Sequence, residues 1–252
     1  MRKALIAGNW KMNGTRQSSA ELVNAIASDF SSDRVDVVVC PPAVMLADVA
    51  QTLSNNHPVA LGAQDVSEEA VGAFTGEISA AMLMEFGVRY CIVGHSERRA
   101  RHKESSQRVA RKFVAARKAG LIPILCVGET EEERDANQTE SVIAEQLGVV
   151  LETAGVESFG HAVIAYEPVW AIGSGKTASP EQADAVHAYL RDRVRRCDGE
   201  IADHLRIVYG GSMNAGNAAD LLRCDHIDGG LIGGASLDAD AFNAIIHAAE
   251  QA

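Results

Sequence analysis

Three side chains of complementary chemistry stand at or just beyond the ends of short apolar runs: Lys11 after the run at 4–7, His95 after 90–93 and Glu167 after 162–165. A carboxylate can take a proton from carbon next to a carbonyl, while a cation and an imidazole stabilise the oxyanion that forms. Two further runs end in glycine-rich turns, Tyr209-Gly210-Gly211-Ser212 and Gly233-Gly234, and Gly173 lies in the loop that follows Glu167. Such turns offer backbone N–H groups to an anion. The combination describes proton transfer on an anionic carbonyl compound.

Each residue also has a plainer reading. Lys11 could be a solvated surface lysine, His95 a satisfied buried histidine, Glu167 an acid at a helix start, and the glycines simple turn formers. Their coincidence favours chemistry, because five separate run ends supply groups that work together. His95 opens a polar segment, 96–101, that suits a helical turn. A helix N-terminus disfavours the imidazolium, so a neutral His95 donor is expected.

The elements that must position these groups alternate along the chain. Apolar runs at 4–7, 35–40, 59–62, 90–93, 121–127, 162–165, 205–209 and 230–232 lack a polar residue at every second place, as strands covered on both faces do. Helix-like stretches at 18–30, 44–53, 79–86, 105–119, 137–153, 180–196, 215–222 and 238–249 lie between and after them. The sixth opens with Ser179 as cap, Pro180 in the first turn and Gln182 completing a capping box. Eight strands and eight helices in alternation predict one closed (β/α)8 barrel over residues 1–252, whose chemistry sits at the carboxyl ends of the strands. An open doubly wound sheet would need a nucleotide fingerprint. There is no G-x-G-x-x-G, and a P-loop ending at Gly175-Lys176-Thr177 would need glycine where Trp170 stands.

Composition narrows the function classes. With 23 basic against 34 acidic residues the formal charge is −11, which argues against a general nucleic-acid or anionic-membrane binder. No run is long enough to cross a membrane, and Gly8-Asn9 ends the first apolar run too soon for a signal peptide. Cys40, Cys91, Cys126, Cys197 and Cys224 form no C-x-x-C pair and read as buried free thiols of a cytoplasmic protein. No clustered metal-ligand set, no H-E-x-x-H and no G-x-S-x-G is present. His57, His187 and His247 stand singly and read as structural or surface residues.

The motifs Ala7-Gly8-Asn9-Trp10-Lys11-Met12-Asn13, Val93-Gly94-His95-Ser96-Glu97-Arg98-Arg99 and 165–173, which holds Tyr166-Glu167-Pro168-Val169-Trp170, resemble the triosephosphate isomerase family, as do Tyr209-Gly210-Gly211-Ser212 and Gly233-Gly234-Ala235-Ser236. The resemblance covers essentially the whole chain. It implies a TIM barrel that interconverts dihydroxyacetone phosphate and glyceraldehyde 3-phosphate through an enediolate, in glycolysis and gluconeogenesis, with no cofactor and no metal. It implies Glu167 as the base, His95 as the electrophile that also moves protons between the enediolate oxygens, and Lys11 neutralising charge beside Asn9. Glu97 would place Lys11 or His95. Gly173, Ser212, Gly233 and Gly234 would hold the phosphate through their amides. Residues 168–178 would form a lid, and 64–77 the loop of a homodimer in which Thr75 reaches the partner's site. Cys126, near Glu167, would have a packing role. Ser174, Phe74, Met213 and Gly230 depart from the residues most frequent in the family at those places; none removes a catalytic group.

Two other classes compete with the isomerase. A Schiff-base aldolase would need a desolvated lysine, for which Lys11 is the candidate at a strand end. A silent phosphate-binding protein would not need both Glu167 and His95, and both are present.

Overall fold

The computed structural model of the chain describes residues 2–29, 33–53, 58–173 and 175–252; Phe30, His57 and Ser174 lie outside them. Eight parallel strands close on themselves in chain order. They are β1 (Ala4–Asn9), β2 (Val35–Cys40), β3 (Val59–Ala63), β4 (Tyr90–Val93), β5 (Ile122–Val127), β6 (Val163–Tyr166), β7 (Arg206–Tyr209) and β8 (Gly229–Ile232). The expected (β/α)8 barrel is the fold. Alternate strand residues divide between two cores, as the two-residue period of a strand requires. Leu5 and Ala7, Val38 and Cys40, Ile124 and Cys126, and Val163 and Ala165 pack in one cluster that fills the barrel. Their neighbours Ile6, Val37, Leu125 and Ile164 belong to the second, larger cluster with Val23, Phe113, Leu147 and Leu190 from the helices.

The helices are α1 (Arg16–Asp29), α2 (Leu46–Thr52), α3 (Ala80–Glu85), α4 (Ser96–His102), α5 (Ser106–Ala119), α6 (Glu131–Asp135), α7 (Thr139–Ala154), α8 (Pro180–Arg195), α9 (Gly199–His204), α10 (Ala218–Leu222) and α11 (Ala239–Gln251). The capping box of α8 is made as its sequence predicts, with Ser179 accepting from the Gln182 amide and Gln182 reaching back. Two short helices escape the periodicity reading because they bury almost nothing. α6 buries no residue and rests on a capping box between Thr130 and Glu133, and α9 buries only Ala202 behind an Asp198 cap.

Three expected elements need adjustment. The stretch 44–53 begins as a 3-10 turn, Ala43–Met45, before α2. The helix predicted from 215 starts only at Ala218. Asn214 takes the Gly216 amide on its side chain and gives its own N–H to Asn217, so these residues form a turn instead. Strand one continues through Gly8 to Asn9, held by register with Val39 and Cys40. Among the cysteines, Cys40, Cys91 and Cys126 are buried as expected. Cys197 is exposed and Cys224 half-buried, because both stand at helix ends outside the strand layers.

At the amino ends of the strands a buried ion network ties the barrel to its helices. Asp228 accepts from Arg191 at 2.6 Å, from Arg2 at 2.5 Å and from the Ile207 amide at 2.7 Å. Arg191 in turn donates to the carbonyls of Ala202 and Leu205, both at 2.7 Å. Breaking a buried pair by removing one partner strands the other charge. Asp228→Ala should therefore cost about 3–5 kcal/mol of stability. Urea unfolding checks this, and a loss below ~1 kcal/mol would show the network to be energetically idle.

Candidate active site

The residues singled out for chemistry meet at the carboxyl rim of the barrel. Asn9, Lys11, His95, Glu167, Gly173, Ser212, Gly233 and Gly234 line one cavity of about 330 Å³, together with Ile172, Gly210, Gly211, Met213, Asn214, Leu231 and Ala235. Side chains that reach it come from β1, β4 and β6, and the glycine turns from β7 and β8 close the opposite side.

Lys11 is placed by strain and by hydrogen bonds. Its backbone has φ of +52°, a region that non-glycine residues rarely occupy. Its amide donates to the Asn9 side chain at 3.1 Å, and the Gln64 side chain donates to its carbonyl at 2.9 Å and to that of Cys40 at 2.9 Å. Its Nζ donates to Glu97 at 2.7 Å, so Glu97 contacts the lysine and not the floor of the cavity. The Lys11 stem passes over Gly233, where a Cβ would lie 3.5 Å from Cε.

Glu167 is buried, at 2% exposure, and held by two donors from the end of β4. The Ser96 amide donates to Oε2 at 2.8 Å, and His95 Nε2 lies 2.9 Å from Oε1. Two glycines make room for it. A Cβ on Gly128 would fall 1.7 Å from the Glu167 carbonyl oxygen, and one on Gly210 would fall 2.9 Å from Cγ. Burial alone would raise the Glu167 pKa, but the His95 contact and the Ser96 amide outweigh it and hold the carboxyl below the ordinary glutamate value.

His95 caps α4: its Nδ1 accepts the Glu97 amide at 3.2 Å. That bond favours the tautomer with hydrogen on Nε2. Burial disfavours the imidazolium, while Glu167 and then Glu97 favour it, and the balance lies above the ordinary histidine value. The neutral donor expected from the helix terminus is thus opposed, in this arrangement, by the carboxylate against Nε2. Cys126 lies beside the pair. Burial, then the Glu167 charge, push its thiol far up, which suits packing and not nucleophilic attack.

The loop after Glu167 starts as a 3-10 turn, Val169–Ala171. Its first residues rest on Glu129, which accepts from Trp170 Nε1 at 2.9 Å, Tyr166 Oη at 3.1 Å and Arg134 at 3.2 Å. The Arg134 guanidinium also stands 4.4 Å above the Trp170 ring. Further on, Lys176 pairs with Glu131. Sequence reading did not single out Glu129, Arg134 or Gln64. The Thr130/Glu133 capping-box spacing was the available signal for the first two, since it marks a helix beside the loop. Thr75 does not reach this cavity; it lies in the exposed tip of the loop after β3, and all of 71–77 is exposed.

The described residues hold no group of three or more histidine, cysteine, aspartate or glutamate side chains suited to a metal ion, and none of their helices is long and apolar enough to cross a membrane. The triosephosphate isomerase family model matches residues 4–249. The chain is 60% identical over 252 residues to the triosephosphate isomerase of Halorhodospira halophila (strain DSM 244 / SL1), covering 100% of both. It is 55% identical over 249 residues to that of Stenotrophomonas maltophilia (strain K279a), covering 99% of each.

The geometry makes Glu167 the main source of positive bias on His95. Replacing Glu167 by Gln should drop the His95 pKa below the ordinary value of 6.5, since burial and Lys11 then act with less opposition. Titration of the imidazole by 15N NMR reads this directly. A value that stays above 6.5 in the variant would show that the Glu167 carboxylate does not set the histidine's charge.

Proposed function

The chain belongs to the triosephosphate isomerase family, and from that premise we propose how its own residues interconvert dihydroxyacetone phosphate and glyceraldehyde 3-phosphate. One observation carries the assignment: a buried carboxylate, an imidazole, an ammonium group and two glycine turns surround a single cavity. The phosphate sits against Gly173, Ser212, Gly233 and Gly234, which leaves the three-carbon end beside Glu167, His95 and Lys11.

Glu167 removes a proton from C1 of the ketone. The C–H electron pair becomes the C1–C2 double bond, and the carbonyl electrons move onto the C2 oxygen. His95 Nε2–H and the Lys11 ammonium stabilise that charge, with Asn9 hydrogen-bonding beside them. His95 then gives its proton to the C2 oxygen and takes one from the C1 oxygen. Glu167 returns its proton to C2, leaving the aldehyde. To act, the carboxylate must leave Ser96 and turn onto the substrate. When it does, His95 loses the neighbour that favours its cation, which restores the neutral donor that the helix terminus promotes.

Closure of 168–178 over the bound phosphate gives that turn its cause and keeps water from the enediolate. Glu129 is the post from which the first residues of this lid swing. An aldolase fits less well: a Schiff-base lysine needs a desolvated amine, whereas Lys11 is 28% exposed at its side chain and engaged with Glu97.

A homodimer built through 64–77 is supported by where apolar side chains are left uncovered. Of the exposed large hydrophobic residues among the described ones, Met12, Val44, Val71, Phe74, Met82, Met84 and Phe86 follow β1 to β3 or lie on and beside α3, and only Leu237 lies elsewhere. Thr75 follows Phe74 in the exposed loop, and in the dimer it reaches toward the partner's site. A role in glycolysis and the free thiols support a cytoplasmic location.

A coupled assay on glyceraldehyde 3-phosphate should show turnover by the native chain. Glu167→Asp, which withdraws the base by ~1 Å, should lose orders of magnitude in kcat with KM within several-fold. Near-native turnover by that variant would remove Glu167 from the mechanism. Thr75→Arg should yield monomers of low activity, sized by ultracentrifugation at assay concentration. A fully active monomer would refute the dimer requirement.

A further inference from the structure

Behind the phosphate side of the cavity lies a contact that the proton transfers do not use. Met213, directly after Ser212, is 4% exposed, and its thioether shares with Ile232 Cδ1 the space where residue 230 would carry a side chain. A Cβ on Gly230 would fall 2.9 Å from Met213 Sδ, 3.2 Å from Met213 Cε and 2.6 Å from Ile232 Cδ1. Gly230 is not among the residues with positive φ, so its backbone conformation is open to other residues and the reason for glycine is room. Leu231 packs in the barrel's interior cluster, while Met213 and Ile232 pack in the outer one. The missing side chain of 230 therefore points outward, into the layer where the methionine sits.

The location matters because of the seam it bridges. β7 and β8 pair at one register position, Tyr209 with Gly230, whereas β1 and β2 pair at six. Both phosphate turns start just past that seam. The turn after β7 is tied to β6 through the Gly210 amide and the Tyr166 carbonyl, 2.7 Å, and to its own helix through Asn217 and the Ser212 carbonyl, 3.0 Å. Neither bond joins it to β8.

We propose that Met213, seated in the notch left by Gly230, is the positioning residue that sets the distance between Ser212 and Gly233-Gly234, and with it the affinity for the phosphate group. This rests on the phosphate assignment made above. Interiors are close-packed, so the notch cannot take a Cβ while the thioether and Ile232 Cδ1 stay where they are. Met213 borders the cavity beside Ser212, so a displaced thioether is driven toward the phosphate turns. Glu167, His95 and Lys11 are anchored on other strands and meet these turns only where the Lys11 stem passes Gly233 and Glu167 Cγ faces Gly210.

The test is a double-mutant cycle read on binding as well as turnover. Gly230→Ala should raise KM for glyceraldehyde 3-phosphate and the competitive inhibition constant of inorganic phosphate by about tenfold each, with kcat within about threefold. Adding Met213→Val, which removes the thioether and leaves Ile232 Cδ1 room to turn aside, should return both constants to within about twofold of native. Should Gly230→Ala fail to fold, Met213→Ala and Met213→Leu carry the comparison, the first weakening phosphate binding and the second keeping it. Thermal stabilisation by inorganic phosphate, followed in all variants, reports on the cup without any turnover. Its result thus stands apart from failure of the isomerase reading, which would appear as absent turnover in the native chain. The proposal is overturned if the single variants lower Tm but leave phosphate inhibition unchanged, or if the double variant binds phosphate no better than Gly230→Ala.

Discussion

A closed sheet of parallel strands has one consequence on which everything else in this molecule depends: all eight carboxyl ends open onto the same rim. Residues more than two hundred positions apart, such as Asn9 and Gly234, thereby line one cavity without any long-range loop to bring them there. The strands need only be apolar on both faces, which they are, because one face fills the barrel and the other receives the helices. Once the sheet closes, the first polar residue after each strand becomes a potential functional group. At the barrel's amino ends the buried polar groups pair with one another instead, as Asp228 and Arg191 do.

Electrostatics at the rim is local and opposed to the character of the whole. The chain carries a formal charge of −11, yet the cavity gathers Lys11 and the N-terminal end of α4 on one side and glycine turns on the other. The anion binding proposed there would owe nothing to the net field and would depend on backbone groups and one cation at short range. The same economy governs the base. Glu167 rests on the Ser96 amide and on His95, so in the proposed mechanism a single displacement of the carboxylate would free it for proton abstraction and change the charge preference of the imidazole. Two roles would thereby be switched by one motion.

The residues that hold these groups in place form a second set, drawn from loops. Gln64 bridges the ends of β1 and β2 through two carbonyls and sustains the unusual backbone of Lys11. Glu129 gathers three donors at the root of the loop that follows Glu167. Met213, seated against Gly230, spans the shortest ladder of the barrel, beneath the glycine turns. Gln64 and Glu129 join segments at the rim beyond the last rung of a well-paired ladder, whereas the Met213–Gly230 contact lies beside a ladder of one rung.

Strand runs, their two-faced burial and the alternation with helices were all legible in the amino-acid sequence, because hydrophobic periodicity is a local property. So were Lys11, His95, Glu167 and the glycine turns, since each directly follows a recognisable run or sits in a recognisable motif. Helices too short to bury a stripe, α6 and α9, left no periodic trace, and with α6 went the reason for Arg134 and Glu129. Tertiary structure alone decided which rim neighbours touch. It set His95 against Glu167, and so a charge balance that the helix terminus by itself would have given the other way. It also showed Met213 and Gly230, two unrelated departures in the sequence, to be one feature: a side chain and the space that admits it. Local pattern determines what each element is; only packing, which depends on distances between elements, determines what one residue requires of another.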